Sequence, residues 1–324
     1  MSSRSLATPP ATVAASPFER LQRGDHAAVA QALTVLERGG VEADALRRRL
    51  CGRSGSARVV GFAGPPGVGK STLVSAYVER LRAQGRAVAV LAVDPSSPLS
   101  GGAILGDRTR MGGHTEDAGV FVRSVASRGH LGGLALAVPS MLDALDAAGF
   151  DDVVIEAVGA GQSEVEISRF ADTTVVLGAP GLGDEVQALK AGLLEVADVL
   201  VVNKADLPHA DRTARELSAM LELRPAGPVP PVVLVSATEV TGLAALTDAI
   251  DDAHGAQDAS DGPRRRATEL LRQATIAELT RRIAAGDSLV ALGAALHGGE
   301  RSLADAVDEL IARAICSGGR NADD

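Results

Sequence analysis

Gly64-Pro65-Pro66-Gly67-Val68-Gly69-Lys70-Ser71 follows the apolar run Val59-Val60-Gly61-Phe62-Ala63 and precedes Leu73, Val74, Tyr77, Val78 and Leu81, which recur at helical spacing until Gly85. A G-x-x-x-x-G-K-[ST] octet between a strand and a helix is a phosphate-binding loop. Its glycines let backbone N–H groups turn inward around phosphates, Lys70 supplies a cation to the β and γ oxygens, and the Ser71 hydroxyl can join a Mg2+ shell. The helix that follows adds the positive end of its dipole. The residues expected against the nucleotide are Gly64, Pro66, Gly67, Val68, Gly69, Lys70, Ser71 and Thr72. A glycine-rich turn without a ligand would have no need of this setting.

The base is addressed by two further elements. Val199-Leu200-Val201-Val202 leads into Asn203-Lys204-Ala205-Asp206, an N-K-x-D signature. A carboxylate at Asp206 can accept both the N1–H and the amino protons of guanine, whereas adenine offers a lone pair there, a mismatch that a polar site rejects strongly. The Lys204 stem is expected over the base, with Asn203 bracing the loops. Val232-Val233-Leu234-Val235 then runs into Ser236-Ala237-Thr238, an S-A element suited to guanine O6, before Thr241-Gly242 opens another helix. The competing reading of Asn203 and Asp206 is a solvated turn after a buried strand.

Strand-like and helix-like segments alternate along the chain. Strands are expected at 58–63, 87–93, 152–158, 173–178, 199–203 and 231–236, and helices at 71–84, 184–197, 210–223 and 242–254, with a long loop between the second and third strands. That alternation predicts an α/β fold, a doubly wound and mostly parallel sheet of a P-loop G domain with helical extensions at both ends. Ligands of such sheets sit beyond the carboxyl ends of the strands, where the motifs begin. The expected organisation is a flexible N-terminus (1–17), a two-helix extension (18–57), the nucleotide domain (58–256), a polar linker (257–263) and a C-terminal helical arm (264–324). In the arm, Leu270, Leu271, Ile276, Leu279 and Ile283 precede a glycine-rich turn, and Leu303, Val307, Leu310 and Ile311 line a last amphipathic helix.

Composition narrows the function classes. A chain of 324 residues, 46% hydrophobic, can bury a full α/β core. A net charge of −9 argues against a nucleic-acid partner, leaving Arg47-Arg48-Arg49 and Arg264-Arg265-Arg266 as solvated patches. No apolar run reaches bilayer length and Met1-Ser2-Ser3-Arg4 opens no secretion signal, so a cytoplasmic protein without a membrane partner is expected. Cys51 and Cys316 form neither a disulfide framework nor a zinc motif.

The remaining acids fall at strand ends. Asp94, in Val93-Asp94-Pro95-Ser96-Ser97, can hold a metal-bound water or orient the attacking water, and Asp107, in the long connection that follows, can join the metal shell when the loop closes. A turn-capping role for Asp94 and plain solvation for Asp107 stay open. Glu156 ends the run Val153-Val154-Ile155 and suits the second acid of phosphoryl transfer, while Gly159 and Gly161 suit a mobile loop sensing the γ-phosphate, with Gln162 a weaker candidate.

Together Gly67-Val68-Gly69-Lys70-Ser71, Asp94-Pro95-Ser96-Ser97-Pro98, Gly101-Gly102 through Gly106-Asp107, Gly161-Gln162-Ser163-Glu164 and Asn203-Lys204-Ala205-Asp206 resemble the MeaB/ArgK family, over about residues 20–316. Its members are G-protein chaperones of methylmalonyl-CoA mutase, once described as transport-system ATPases for lysine, arginine and ornithine. The resemblance implies a homodimeric GTPase of the SIMIBI class that binds GTP or GDP with Mg2+, attends an adenosylcobalamin-dependent acyl-CoA mutase, gates cofactor loading and protects that enzyme. It also implies that Ser71, Asp94, Asp107 and Glu156 serve the Mg2+ and catalytic centre with Lys70, and that 181–192, with Asp184 and Lys190, is a further switch. Two residues of this segment, Ala157 and Ala160, depart from the pattern: the family reads Glu-Thr-Val-Gly-Val-Gly-Gln where this chain has Glu156-Ala157-Val158-Gly159-Ala160-Gly161-Gln162. The missing hydroxyl at Ala157 bears on hydrolysis more than on binding and leaves a GTP-sensing scaffold with negligible hydrolysis as an alternative. A metallochaperone for nickel enzymes is another, although His26, His114, His130, His209, His254 and His297 are scattered.

Overall fold

A computed structural model describes residues 15–52, 56–95, 117–127, 133–157, 162–181, 192–222, 228–256, 261–284 and 288–316. Its centre is a seven-stranded sheet made of β1 (Arg58–Ala63), β2 (Val88–Pro95), β3 (Val120–Ser127), β4 (Asp152–Ala157), β5 (Thr173–Gly178), β6 (Val199–Val202) and β7 (Val232–Leu234). The order is β3-β2-β4-β1-β5-β6-β7 and every pairing is parallel. β1, β4 and β5 are buried along their whole length, as their continuous apolar runs require when both faces are covered. The expected sheet is therefore present, with one addition. Val120–Ser127 is a strand and Gly133–Ala147 a helix, both inside what reads as a long loop. Arg123 and Ser124 interrupt the apolar pattern of that edge strand, and Pro139 interrupts that of the helix.

Helices cover both faces: α1 (Pro17–Gln22), α2 (His26–Arg38), α3 (Gly40–Leu50), α4 (Lys70–Ala83), α5 (Gly133–Ala147), α6 (Gln162–Ser168), α7 (Leu193–Val196), α8 (Ala210–Leu221), α9 (Leu243–Gly255), α10 (Asp261–Ala284), α11 (Ser288–His297) and α12 (Leu303–Cys316). On one face Leu73, Tyr77 and Leu81 of α4 pack with Leu246 and Ile250 of α9 against Val60, Phe62 and Val154. On the other, Val29, Leu33 and Leu36 of α2 share a core with Met141 and Leu142 of α5 and Val59, Leu91 and Ile155 of the sheet.

The N-terminal extension holds three helices rather than two. Ser16 and Glu19 form a reciprocal capping box on α1, and the Asp25 carboxylate accepts the N–H groups of Ala27 and Ala28, both at 3.0 Å, so the chain restarts as α2 after one turn. The arm likewise gains a helix, α11, before its glycine-rich turn, and α10 is already helical at Asp261-Gly262-Pro263, within the segment read as linker. No helix among the described residues is long and apolar enough to cross a membrane.

Buried polar bonds tie the amino ends of the strands together. Arg58 on β1 donates to Asp152 on β4 at 2.8 Å, to the Tyr77 hydroxyl on α4 at 3.0 Å, and to Asp251 on α9. Burial pushes the Asp152 carboxyl and the Tyr77 hydroxyl upward despite the nearby guanidinium. The carboxyl ends of β1, β4, β6 and β7 lead into the segments that carry the sequence motifs.

Candidate nucleotide site

β1 delivers the chain into the loop 64–69 at the middle of the sheet. Gly64 has φ +147°, and a Cβ there would lie 2.6 Å from the Leu177 carbonyl oxygen on β5, so no larger residue lets the loop cross so close to its neighbour. Gly69 caps α4 in the left-handed region, at φ +92°, and a Cβ there would meet Asn203 Nδ2 at 2.6 Å. These two glycines are required by close approach as well as by conformation.

Lys70 is 7% exposed, and its Nζ donates to the carbonyls of Gly64 and of Pro65, the latter at 3.1 Å. The ammonium is thus held inside its own loop, at the first turn of α4. Ser71 Oγ donates to Glu156 Oε1 at 2.5 Å, joining α4 to the end of β4, and Glu156 is 1% exposed. A hydroxyl and a carboxylate converging beneath a phosphate loop are the oxygen donors that Mg2+ takes when phosphates complete its shell, so these residues fit the ion. Asp94 is placed through its backbone only, paired with Ala126 at the end of β2, one residue beyond the Val93–Ala157 pair. Gln162 begins α6. Asp107, Gly159, Gly161, Asp184 and Lys190 lie outside the described residues.

Asn203 bonds to both the phosphate-loop segment and the S-A turn. Its Nδ2 donates to the carbonyls of Val68 at 2.9 Å and Gly69 at 3.4 Å, while its Oδ1 accepts the Ala237 N–H at 3.3 Å. Lys204, with φ +58°, sends its Nζ to the Gly67 carbonyl at 2.8 Å, which lays the aliphatic stem across the site. Ser236 Oγ donates to Asp206 Oδ1 at 2.5 Å and is 3.3 Å from the Thr238 hydroxyl. The Asp206 carboxylate is thereby fixed in rotation, a bond that the S-A pattern by itself does not announce.

A cavity of about 720 Å3 runs from Gly67, Gly69, Lys70, Ser71 and Glu156 past Thr72 and Ala76 to Ala237 and Val240. Sequence reading placed Lys70, Ser71, Thr72, Glu156 and Ala237 around one ligand, and they line one cavity. It missed Ser75, Glu79 and Val240, which line the same space without belonging to a motif; helical spacing from Ser71 and Thr72 would have found the first two. A second cleft, about 970 Å3, lies at the amino ends of β5, β6 and β7, with Thr174, Asp198 and Pro231 in its wall, remote from every motif.

The family model described as methylmalonyl Co-A mutase-associated GTPase MeaB matches residues 29–288. A Pyrococcus abyssi relative named as a GTPase is 47% identical over 240 residues, 72% of this chain and 74% of its own length. The Escherichia coli GTPase ArgK is 44% identical over 200 residues, 60% of each chain. The mouse mitochondrial methylmalonic aciduria type A homolog is 38% identical over 195 residues, 58% of this chain and 47% of its own. Among solved structures, the crystal structure of an LAO/AO transport system kinase superposes with a TM-score of 0.71 at 27% identity, covering 91% of this chain and 95% of the other.

Proposed function

The chain belongs to the MeaB family of methylmalonyl-CoA mutase-associated GTPases, and from that premise we propose that it binds GTP and GDP with Mg2+, hydrolyses GTP, and uses the cycle to attend an adenosylcobalamin-dependent acyl-CoA mutase. The observation that carries the nucleotide reading is Asn203. One side chain touches both the phosphate loop and the Ser236–Ala237 turn, so the phosphate and base motifs form a connected unit. Asp206, held by Ser236, presents a carboxylate of fixed orientation to the guanine N1–H and amino group, and an adenine in its place would leave that carboxylate unpaired.

Lys70 is positioned to exchange its carbonyl partners for β and γ oxygens, with its charge already desolvated by the loop. Ser71 and Glu156 would hold Mg2+, which when bound offsets the phosphate charge that develops in the reaction. Asp94, at the neighbouring strand end, is our candidate for orienting the attacking water, and Asp107 for completing the metal shell. The mutase partner rests on the family description and on the relative named for methylmalonic aciduria.

The arm and the segment 181–192, with Lys190, are proposed as the homodimer contact and the mutase-facing switch. Titration of labelled GDP against competing ADP tests the base, with at least about a hundredfold preference for guanine expected. Comparable affinities would sink the assignment. Single-turnover hydrolysis with and without an acyl-CoA mutase tests the client, stimulation being expected. Ala157 supports a second reading. It is buried at the end of β4 beside Glu156 and offers no hydroxyl there, which suits a GTP sensor with negligible hydrolysis. Absence of turnover even with the mutase would favour that reading.

A further inference from the structure

The turn after β7 holds a β-branched residue where the backbone disfavours one. Val240 has φ +56°, a region that glycine occupies freely and that costs valine more than most residues. Its neighbours impose the conformation. Ser236 and Thr241 exchange two backbone hydrogen bonds of 3.1 Å, closing the turn 237–240, and Ser236 Oγ accepts the Glu239 N–H at 3.3 Å. Gly242 sits against the Leu234 carbonyl, where a Cβ would come within 2.1 Å, so the residue that follows the turn has no room for a side chain.

The strained side chain does not pack inside the protein. It is 63% exposed and lines the nucleotide cavity with Ala237, Thr72 and Ala76. Val240 lines the cavity together with Ala237 of the S-A element, in the turn whose Ser236 orients Asp206. A backbone held in a sparsely populated region beside a ligand cavity is a common form of pre-organisation.

We propose that Val240 is the apolar wall of the nucleoside subsite, a positioning contact for the face of the purine nucleoside that the Ser236–Thr241 bridge holds in place at a cost to stability. The inference rests on the guanine-nucleotide reading and extends it. An aliphatic wall touches guanine and adenine alike, so Val240 contributes to affinity while Asp206 sets base choice.

The test compares wild type with Val240→Gly and Val240→Ile in the full chain, by calorimetric titration with GDP and with ADP and by thermal denaturation without nucleotide. Val240→Gly is expected to raise the melting temperature by about 2 °C, because glycine removes the strain. It is expected to weaken GDP binding about tenfold, the scale of an apolar contact in a pocket, with the GDP-to-ADP ratio unchanged. Val240→Ile, which keeps a β-branched apolar side chain, should retain affinity within about threefold and show no thermal gain. GDP affinity within twofold of wild type in Val240→Gly would overturn the wall, and an unchanged or lowered melting temperature would overturn the strain. Should wild type bind ADP as well as GDP, the guanine reading falls, and the Val240 comparison is still decided by either ligand. Binding of neither nucleotide to wild type would overturn both.

Discussion

The two ends of the chain carry the same amphipathic signal and use it differently. In the N-terminal extension Leu21, Val29, Leu33, Leu36 and Leu50 are at most 2% exposed, in a core shared with the sheet. In the C-terminal arm Leu271, Val290, Leu303 and Ile315 are 69, 78, 65 and 60% exposed. The arm joins the nucleotide domain through its root. Arg266, 2% exposed, donates to Asp172 Oδ1 at 2.8 Å, and Asp172 Oδ2 accepts the Val59 N–H at the start of β1 at 2.9 Å. Periodicity in the sequence tells that a helix face will be covered, and only tertiary packing tells by what. One extension is core, whereas the other is held by a buried ion pair and left with apolar surface, the property expected of an element that meets a second chain.

The largest effect should come from cutting the root. Asp172→Ala leaves the buried Arg266 charge uncompensated and the Val59 N–H without its acceptor, and should cost about 3–5 kcal/mol in urea denaturation. Replacing both partners, as Asp172→Ala with Arg266→Leu, should recover much of that loss, because the uncompensated charge rather than the missing attraction dominates. A single variant within about 1 kcal/mol of wild type would mean that the arm is not fixed through this pair.

Next in size is the contrast between the extensions themselves. Leu33→Ala opens a cavity in the shared core and should cost about 3 kcal/mol. Leu271→Ala, on the exposed face, should stay within about 0.5 kcal/mol when measured at concentrations where the chain is monomeric. Equal costs would erase the distinction between core and arm.

Assembly gives the third test. Truncation after Ala284 removes α11 and α12 but keeps Arg266 on Asp172, whereas a cut at Gly262 would also take the Arg266 guanidinium from the buried Asp172. The truncated chain is expected to halve its mass by light scattering and to keep its GDP affinity, with the melting temperature of the nucleotide domain within about 3 °C. A full-length chain that is already monomeric would break the comparison, since the exposed leucines would then have another use.

Much of this was legible in residue patterns, for identifiable reasons. The strands that flank the phosphate loop are buried on both faces and so read as unbroken apolar runs, and the octet, N-K-x-D and S-A elements are short because backbone geometry dictates them. The edge strand Val120–Ser127 was hidden because Arg123 serves a tertiary bond, reaching Glu37 at 2.9 Å and Thr34 at 3.2 Å on α2, which disguises the strand as polar loop. Val240 was hidden for the opposite reason. Nothing in Thr238-Glu239-Val240-Thr241 shows that a valine is held at positive φ, because the turn is closed by bonds of Ser236 to Thr241 and Glu239. The root pair was hidden too: Arg266 sits in a run of three arginines that reads as solvated, and only one of them is 2% exposed.

The smallest effect is an acid-dependent one at the same root. Glu269 on α10 accepts from Arg272 at 2.5 and 2.8 Å, from Gln273 at 2.8 Å and from Arg169, just after α6, at 3.3 Å. Arg272 chiefly, against the opposing effect of burial, holds its carboxyl down to about 2 from an ordinary 4.5. A carboxyl depressed in the folded state stabilises above its unfolded value, and that contribution disappears as pH falls from about 4.5 toward 2. Arg169 and Arg272 are nearly half exposed, so Glu269→Gln should cost only about 0.5 kcal/mol at neutral pH. The stability difference between wild type and variant, followed by urea denaturation at successive pH values, should shrink through that window and vanish near its lower end. A difference that persists unchanged to the acid limit would show that Glu269 acts through shape rather than charge, and the charged ties of the arm's root would then be those of Arg265 and Arg266 to Ala171 and Asp172.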